Sequence, residues 1–349
     1  MNLIDYVKKY GNVSFSKKIF NEIDNLVFSS LSYIDFDENK IKENNTLEYI
    51  GKDYLNKKIK VKDLILAKRD AYELLEVIVD KKRYKDVRIR NYIYKADYNM
   101  QFKAMTFVIS SNLNYIAFEG TDELISGWIE DFSLAYMFPT PSQKLAVKYV
   151  NDNVKIFGPK VIIGGHSKGG NLALVSAMYM KKIKRLKLQY VYNNDGPGLR
   201  DNEFESIEYR SIKSRYVHII PHSSIVGILL KDSNYFVIKS KKNNAIGHSL
   251  NTWLVDDDKL IQTDLSKRST KIKNNLDKWR LMHSDDDFRY LVEDLFNILR
   301  DSDINTLNNM KNIKNIISVI KKIKYLDKDT KEILKELFLY GYIGVAVKD

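Results

Sequence analysis

Residues 160–178, KVIIGGHSKGGNLALVSAM, constrain this chain more than any other stretch. A β-branched run, Val161-Ile162-Ile163, leads into Gly164-Gly165-His166-Ser167-Lys168-Gly169-Gly170, and an apolar segment of helical character follows. A strand, a sharp turn with serine at its apex and a helix make the G-x-S-x-G nucleophile elbow. Ser167 must take a positive φ there so that its hydroxyl stands clear of the backbone. Strand and helix then come so close that side chains at Gly165 and Gly169 would collide. The helix after the serine aims N–H groups and a positive dipole end at the reacting centre. The competing reading is a glycine-rich turn without chemistry; the β-branched run before it and the helix after it favour the elbow.

The rest of the chain suits a folded body around that turn. Of its 349 residues, 44% are hydrophobic, enough to bury one large domain or one plus an appendage. Cysteine is absent, so a disulfide framework, a thiolate nucleophile and a cysteine-bound metal are excluded. The N-terminal MNLIDYVKKYGNVSF has no long apolar run, and no secretory signal is expected. No stretch reaches the length of a membrane span, so a cytoplasmic protein is expected. The formal charge is +12, but lysines are scattered through every segment and no nucleic-acid module is recognisable. No nucleic-acid partner is expected, and a weak attraction to an anionic membrane surface stays open.

Phe20, Ile23, Val27, Leu31 and Ile34 recur at helical steps and predict an amphipathic helix over 19–33. DFDENKIKENNTLEY reads as a polar loop. Leu64, Ile65, Ala71, Leu74, Leu75 and Ile78 predict a helix over 62–80. From Val87 the pattern alternates, and strands over 102–109 and 115–118 flank Ser110-Ser111-Asn112 as a hairpin. A helix over 142–152 and strands over 188–192, 216–220 and 235–239, the last of them, surround the elbow. This alternation implies a mainly parallel sheet with helices on both faces and functional groups at the carboxyl ends of its strands. Beyond about residue 268 the strands stop. Ser284 before Asp285-Asp286-Asp287 reads as a capping box opening a helix that carries Leu291, Val292 and Phe296. Apolar faces over 310–323, including Ile317, and over 333–338 extend this helical tail. The expected organisation is an α/β body over 1–267, flanked or capped by the helices of 19–80, and a helical subdomain over 268–349 packed on it.

A serine nucleophile needs a base, an acid that orients the base, and donors for the oxyanion. With an elbow of this kind they run serine, acid, histidine along the chain. Among five histidines, His166 adjoins the serine with its side chain expected to point away. His218 lies inside a strand, His283 precedes a cap in the tail, and His222 follows Pro221 at a strand end, within possible reach. His248, in the loop after the last strand, is the favoured base. Asp195, in Asn193-Asn194-Asp195-Gly196-Pro197-Gly198 after the strand that follows the elbow helix, is the candidate acid; its alternative is a turn aspartate bonding its own backbone. Asp256, Asp257 and Asp258 come after His248, in the wrong order. The oxyanion hole is expected from the N–H of Lys168 and from Thr121, within Glu119-Gly120-Thr121-Asp122, unless that segment is only a β-turn. No metal or cofactor is signalled.

AFEGTDE (117–123) together with GGHSKGGNLAL (164–174) resembles the class three, fungal-type lipases. In those a Gly-Thr after a strand supplies the oxyanion hole and the elbow reads G-H-S-x-G-G. More closely, the chain resembles the Mbeg-like family of bacterial α/β-hydrolase proteins. FNEIDNLVFSSLSYIDF (20–36), AFEGTDELISGWIEDF (117–132), VYNNDGPG (191–198), IIPHSSIVGILL (219–230) and the segment from His248 to Trp253 carry that likeness over most of 1–260. It implies an α/β-hydrolase fold and serine-dependent ester hydrolysis, but not the substrate; a small-molecule or lipid ester is expected. One departure stands out: where the fungal-type lipases carry the acid in Asp-Ile-Val-Pro, this chain has Ser223-Ser224-Ile225-Val226-Gly227. Ser224 cannot hold a charge, so the acid has either moved one strand earlier, to Asp195, or been weakened. The rival readings are a non-catalytic binding protein that kept the fold, and a thioesterase or acyltransferase using the same triad.

Overall fold

The computed structural model describes residues 1–331 apart from 58, 98–99, 123–124, 234, 303–312, 325 and 327–330. The chain divides into two compact units. One holds Met1–Tyr94, Phe102–Asp122 and Ser142–Leu265; the other holds Lys95–Gln101, Glu123–Pro141 and the chain from Ser266.

The first unit opens with helices α1 (Leu3–Tyr10) and α2 (Glu22–Leu31), each started by an Asn–Asp capping box, Asn2 with Asp5 and Asn21 with Asp24. The segment expected to be a polar loop forms α3 (Glu38–Lys42) and α4 (Leu47–Leu55) instead. Asp37 caps the first and Thr46 the second, and α4 buries Leu47, Ile50 and Tyr54 at helical spacing. Three apolar positions in a charged stretch sufficed, because the caps satisfy the first N–H groups. α5 (Leu66–Ile78) follows, packs on α2 and buries Ala71, Leu74, Leu75 and Ile78.

Seven strands form one sheet in sequential order: β1 (Arg88–Ala96), β2 (Gln101–Ser110), β3 (Leu113–Phe118), β4 (Lys160–His166), β5 (Leu188–Asn194), β6 (Tyr216–Pro221) and β7 (Tyr235–Ile238). β2 and β3 pair antiparallel as the expected hairpin, and β3 through β7 are parallel. Between them run α6 (Ile125–Ser133, in the second unit), α7 (Pro141–Asn153), α8 (Lys168–Met178) and three short helices, α9 (Lys182–Arg185), α10 (Asp201–Phe204) and α11 (Ile207–Arg210). A small hairpin, β8 (Val255–Asp256) with β9 (Lys259–Leu260), adds strands after the one expected to be last.

The glycines of β4 show how the faces are covered. A Cβ at Gly164 would collide with Tyr115 and approach Asn25 of α2, whereas one at Gly165 would collide with the backbone of Gly169 in α8. Successive strand residues point to opposite faces, so α2 and α8 cover opposite faces. This is an α/β-hydrolase fold: a mainly parallel sheet, helices on both sides, and an elbow at the end of a central strand.

The second unit is helical among its described residues outside the short strand ends. α12 (Lys267–Met282), α13 (Asp285–Arg300) and α14 (Ile313–Ile323) follow one another. Ser284 and Asp287 form the expected capping box. Val292 and Phe296 of α13 are packed by Ile129, Tyr136, Leu299 and Val319. Ile317, expected on the apolar face of α14, is exposed. Met310 and the face expected over 333–338 lie outside the described residues.

One buried ion pair ties the start of α2 to the chain after α5. Asp24 and Arg83 are both fully buried, and the guanidinium meets the carboxylate with two hydrogen bonds of 2.8 and 2.6 Å. Arg83 also donates to the carbonyls of Val13, Lys18 and Ile19, while Tyr84 donates to Asp24. Removing one partner of such a pair strands a buried charge and costs about 3–5 kcal/mol. Arg83→Met is therefore expected to lower unfolding stability by about that amount in a denaturant titration. Asp24→Asn added to Arg83→Met should recover part of the loss, since the stranded charge is then gone.

Candidate active site

The ends of five consecutive parallel strands converge here. Ser167 follows β4 with φ 57° and ψ −132°, the strained turn that the elbow demands. Its N–H donates to the Asn194 carbonyl of the neighbouring strand end at 3.0 Å. Lys168 opens α8 one residue later, at the positive end of the helix dipole. Gly120, after β3, lies so close that a Cβ there would meet the Ser167 Cβ at 3.1 Å and collide with the His166 carbonyl and the Tyr33 hydroxyl. Thr121, half-buried, comes next. The segment before it is anchored by charge. Buried Glu119 pairs with Lys103 of β2 at 2.7 Å, and Lys103 also reaches Asp35 at 2.5 Å. Burial pushes the Glu119 carboxyl up to about 7 against the pull of Lys103.

Asp195 follows β5, fully buried and at φ 53°. Its carboxylate turns outward from its own loop: Oδ2 meets His248 Nδ1 at 2.6 Å, while Oδ1 accepts from the Ser224 hydroxyl and from the Gly227 N–H at 3.1 Å. Gly227 also donates to Ser224 Oγ at 3.0 Å, and a Cβ at Gly227 would collide with the carboxylate. Asn193 holds the turn by accepting from Gly196 N–H at 2.8 Å, and Asn194 bonds Asn25, Ser29 and the Gly165 carbonyl. Ser224, after β6, thus hydrogen-bonds the candidate acid at the end of the preceding strand, β5.

His248 lies beyond β7, with a side chain 28% exposed. With Nδ1–H given to a carboxylate, Nε2 is left as the acceptor. Among the described residues no hydrogen bond joins His248 to the Ser167 hydroxyl, and such bonds often tighten only in the substrate complex.

His166 does not point away as expected. Its ring packs against that of His248, tilted by 37° with centroids 4.3 Å apart, and its Nε2 meets the His248 carbonyl at 2.9 Å. A carbonyl only accepts, so Nε2 carries the proton, and Nδ1 takes the Tyr33 hydroxyl at 3.0 Å. Burial first, and the neighbouring His248 second, hold its pKa well below the usual histidine range. The elbow sequence alone could not reveal this contact, because the two histidines are 82 residues apart.

The remaining candidates stand elsewhere. His222 meets Asn243 at 2.7 Å and accepts from Ser240 N–H; His218 is buried on Asp232 at 2.7 Å. His283 packs against Trp279 in the second unit. Asp257 and Asp258 pair with Lys9 and Lys18. Among the described residues, no group of three or more His, Asp or Glu side chains could hold a metal ion, and no helix is long and apolar enough to cross a membrane.

A family model described as Mbeg1-like matches residues 78–297. Two solved structures are similar at 18% identity. One is the crystal structure of M37 lipase, with a TM-score of 0.37 over 60% of this chain and 70% of that one. The other is a fungal lipase–inhibitor complex described as a model for interfacial activation, with a TM-score of 0.36 over 58% and 70%. The comparison with curated proteins found no match.

A small cavity of about 80 Å³ opens beside His248, walled by Tyr33, Leu66, Ala67, Asp70, His166 and Ser249 among others. Asp70, on α5, accepts from the Ser249 hydroxyl, and its backbone carbonyl accepts from Asn251 at 3.2 Å. These bonds tie α5 to the segment that carries His248. Burial pushes the Asp70 carboxyl up to about 6, only partly offset by Ser249. Its folded pKa thus exceeds the unfolded value near 4. Between those values the folded state holds the extra proton, so this group's contribution makes stability fall as pH rises from about 4 to about 6. Asp70→Asn is expected to remove that slope and to add about 2 kcal/mol at pH 7. Denaturant midpoints measured across pH 4–7 in both proteins check this; equal slopes would contradict it.

Proposed function

The chain belongs to the Mbeg1-like family, and we propose that it is a serine hydrolase of carboxylic esters. The observation that carries this reading is the 2.6 Å contact of His248 Nδ1 with the buried Asp195 carboxylate, beside a serine held at φ 57° on an elbow. An aspartate in that position fixes the imidazole tautomer and stabilises the imidazolium that forms.

In the proposed reaction Ser167 Oγ attacks the acyl carbonyl carbon while His248 Nε2 takes its proton. The carbonyl oxygen becomes an oxyanion facing the Lys168 N–H and Thr121, donors whose charge stabilisation is worth most in a site that excludes water. The tetrahedral species collapses as His248 gives its proton to the leaving alkoxide. An acyl-serine remains, and water activated by the same histidine releases the acid. His166 holds the His248 backbone through a neutral ring throughout, and does not compete for the proton. No metal or cofactor enters these steps.

Labelling with a fluorophosphonate tests the reading directly. The folded protein should form an adduct on Ser167 that Ser167→Ala lacks; folded protein with no adduct rules the proposal out. Asp195→Asn should lower kcat by about 10⁴, the effect of the corresponding change in a serine protease. Asp256→Asn should leave it unchanged. Ser224→Ala removes one hydrogen bond to a charged group, about 1.5 kcal/mol, so kcat should fall roughly tenfold. Steady-state kinetics on a short-chain 4-nitrophenyl ester separate the three variants. Equal losses at Asp195 and Asp256 would refute the acid assignment.

A further inference from the structure

The cavity beside His248 has two properties that the triad does not explain. It is small: on the scale by which an apolar cavity of about 150 Å³ holds benzene, its 80 Å³ takes about three heavy atoms. Its wall also carries a carboxylate, Asp70, which is 8% exposed and makes no ion pair with any described residue. Two other buried carboxylates of this unit have a cation, Asp24 in Arg83 and Glu119 in Lys103, and Asp195 has three donors in place of one. A carboxylate so placed without a cation is unfavourable unless something that binds supplies one.

The position of the cavity says which part of a substrate would enter it. In acyl transfer through serine, the base that takes the nucleophile's proton returns it to the leaving oxygen. The group attached to that oxygen therefore lies on the base's side, and His248 is itself a wall of this cavity. We propose that the cavity is a leaving-group subsite and that it takes the ammonium end of a short amino alcohol. Two carbons and a nitrogen match its volume. Asp70 supplies the opposite charge, and Tyr33, also in the wall, belongs to the side-chain class that attracts ammonium groups. Leu66 and Ala67 of α5 bound the space for the carbon chain. Around Asp70 the charged neighbours are Arg69 and Glu73 on its own helix; from β4 comes His166, held neutral, and His248 comes from the loop beyond β7.

This inference rests on the ester-hydrolase reading, so binding and turnover are measured separately. Calorimetric titration of Ser167→Ala protein with 2-aminoethanol, and with its uncharged isostere 1-propanol, reads binding alone. 2-Aminoethanol should bind in the millimolar range, as suits so few atoms, and at least about tenfold more tightly than 1-propanol, the worth of one charge-assisted contact. Asp70→Asn on the same background should abolish the preference. Ala67→Phe, which fills the space and keeps the carboxylate, should abolish binding of the amine. In active protein 2-aminoethanol should inhibit hydrolysis of 4-nitrophenyl acetate competitively, with the same ratio over 1-propanol. No preference for the amine, or a preference that survives Asp70→Asn, overturns the subsite even where the ester is hydrolysed. Asp70→Asn that slows every ester alike with the preference intact also overturns it, and assigns Asp70 to holding the His248 loop. A preserved preference with no ester turnover overturns the leaving-group assignment together with the hydrolase reading.

Discussion

The site depends on one buried carboxylate and the way its two oxygens are divided. Asp195 gives one oxygen to His248 and the other to Ser224 and the Gly227 N–H. Both bonds require the aspartate to leave its own turn and face the next strand end, which φ 53° makes possible. Neither asparagine beside it is decoration. Asn193 closes the turn on Gly196, and Asn194 fastens the strand end to α2 and β4. A charge in a fully buried position persists only where hydrogen bonds replace water. Here three donors do so, from β6's loop and from His248.

His248 is correspondingly held from several sides. Asp195 fixes its ring through Nδ1, His166 fixes its backbone carbonyl, and the residue after it is tied through Ser249 to Asp70 of α5. These restraints come from β5, β4 and α5, elements with unrelated positions in the chain. A loop residue gains strand-like definition in this way, which a proton-transfer geometry needs. Tyr33 extends the same chain of bonds: its hydroxyl meets His166 and also fills the space beside Gly120. The turn bearing the oxyanion candidate and the ring supporting the base candidate therefore share one neighbour.

The elbow and the parallel sheet could be read from the chain because each leaves a local mark, and so do four of the candidate residues. The Gly-x-Ser-x-Gly turn marks Ser167, strand ends mark Asp195 and Thr121, and the loop after the last long strand marks His248. What the sequence hid was long-range or compositionally masked. Nothing near Ser224 shows that its hydroxyl meets a carboxylate 29 residues earlier. Nothing near His166 shows that it packs against His248. Helix α4 escaped because its three buried positions sit among charges, and β8 and β9 because two-residue strands carry no periodicity. Lys103 was visible in principle. A lysine inside the apolar run of β2 breaks the pattern, and its reason is Glu119, just beyond the end of the neighbouring strand.

Four buried carboxylates of the first unit differ in what neutralises them. Asp24 and Arg83 satisfy each other and a ring of carbonyls, with nothing left over; that pair fixes the N-terminal helices. Lys103 is shared between Glu119 and Asp35, which pins the strand end before Gly120 while leaving Glu119 near its titration point. Asp195 has partners for both oxygens, but one of them is a histidine that can change its charge. Asp70 has a serine alone. Of these four, the two without a lysine or arginine partner, Asp195 and Asp70, are the two bonded to His248 and to Ser249 beside it. Structural pairs need full internal compensation because nothing else supplies it. A site that must accept a developing or incoming positive charge needs the reverse, a carboxylate the fold leaves incomplete. The carboxylates without a lysine or arginine partner thus lie at the loop that carries His248, where the reaction is proposed.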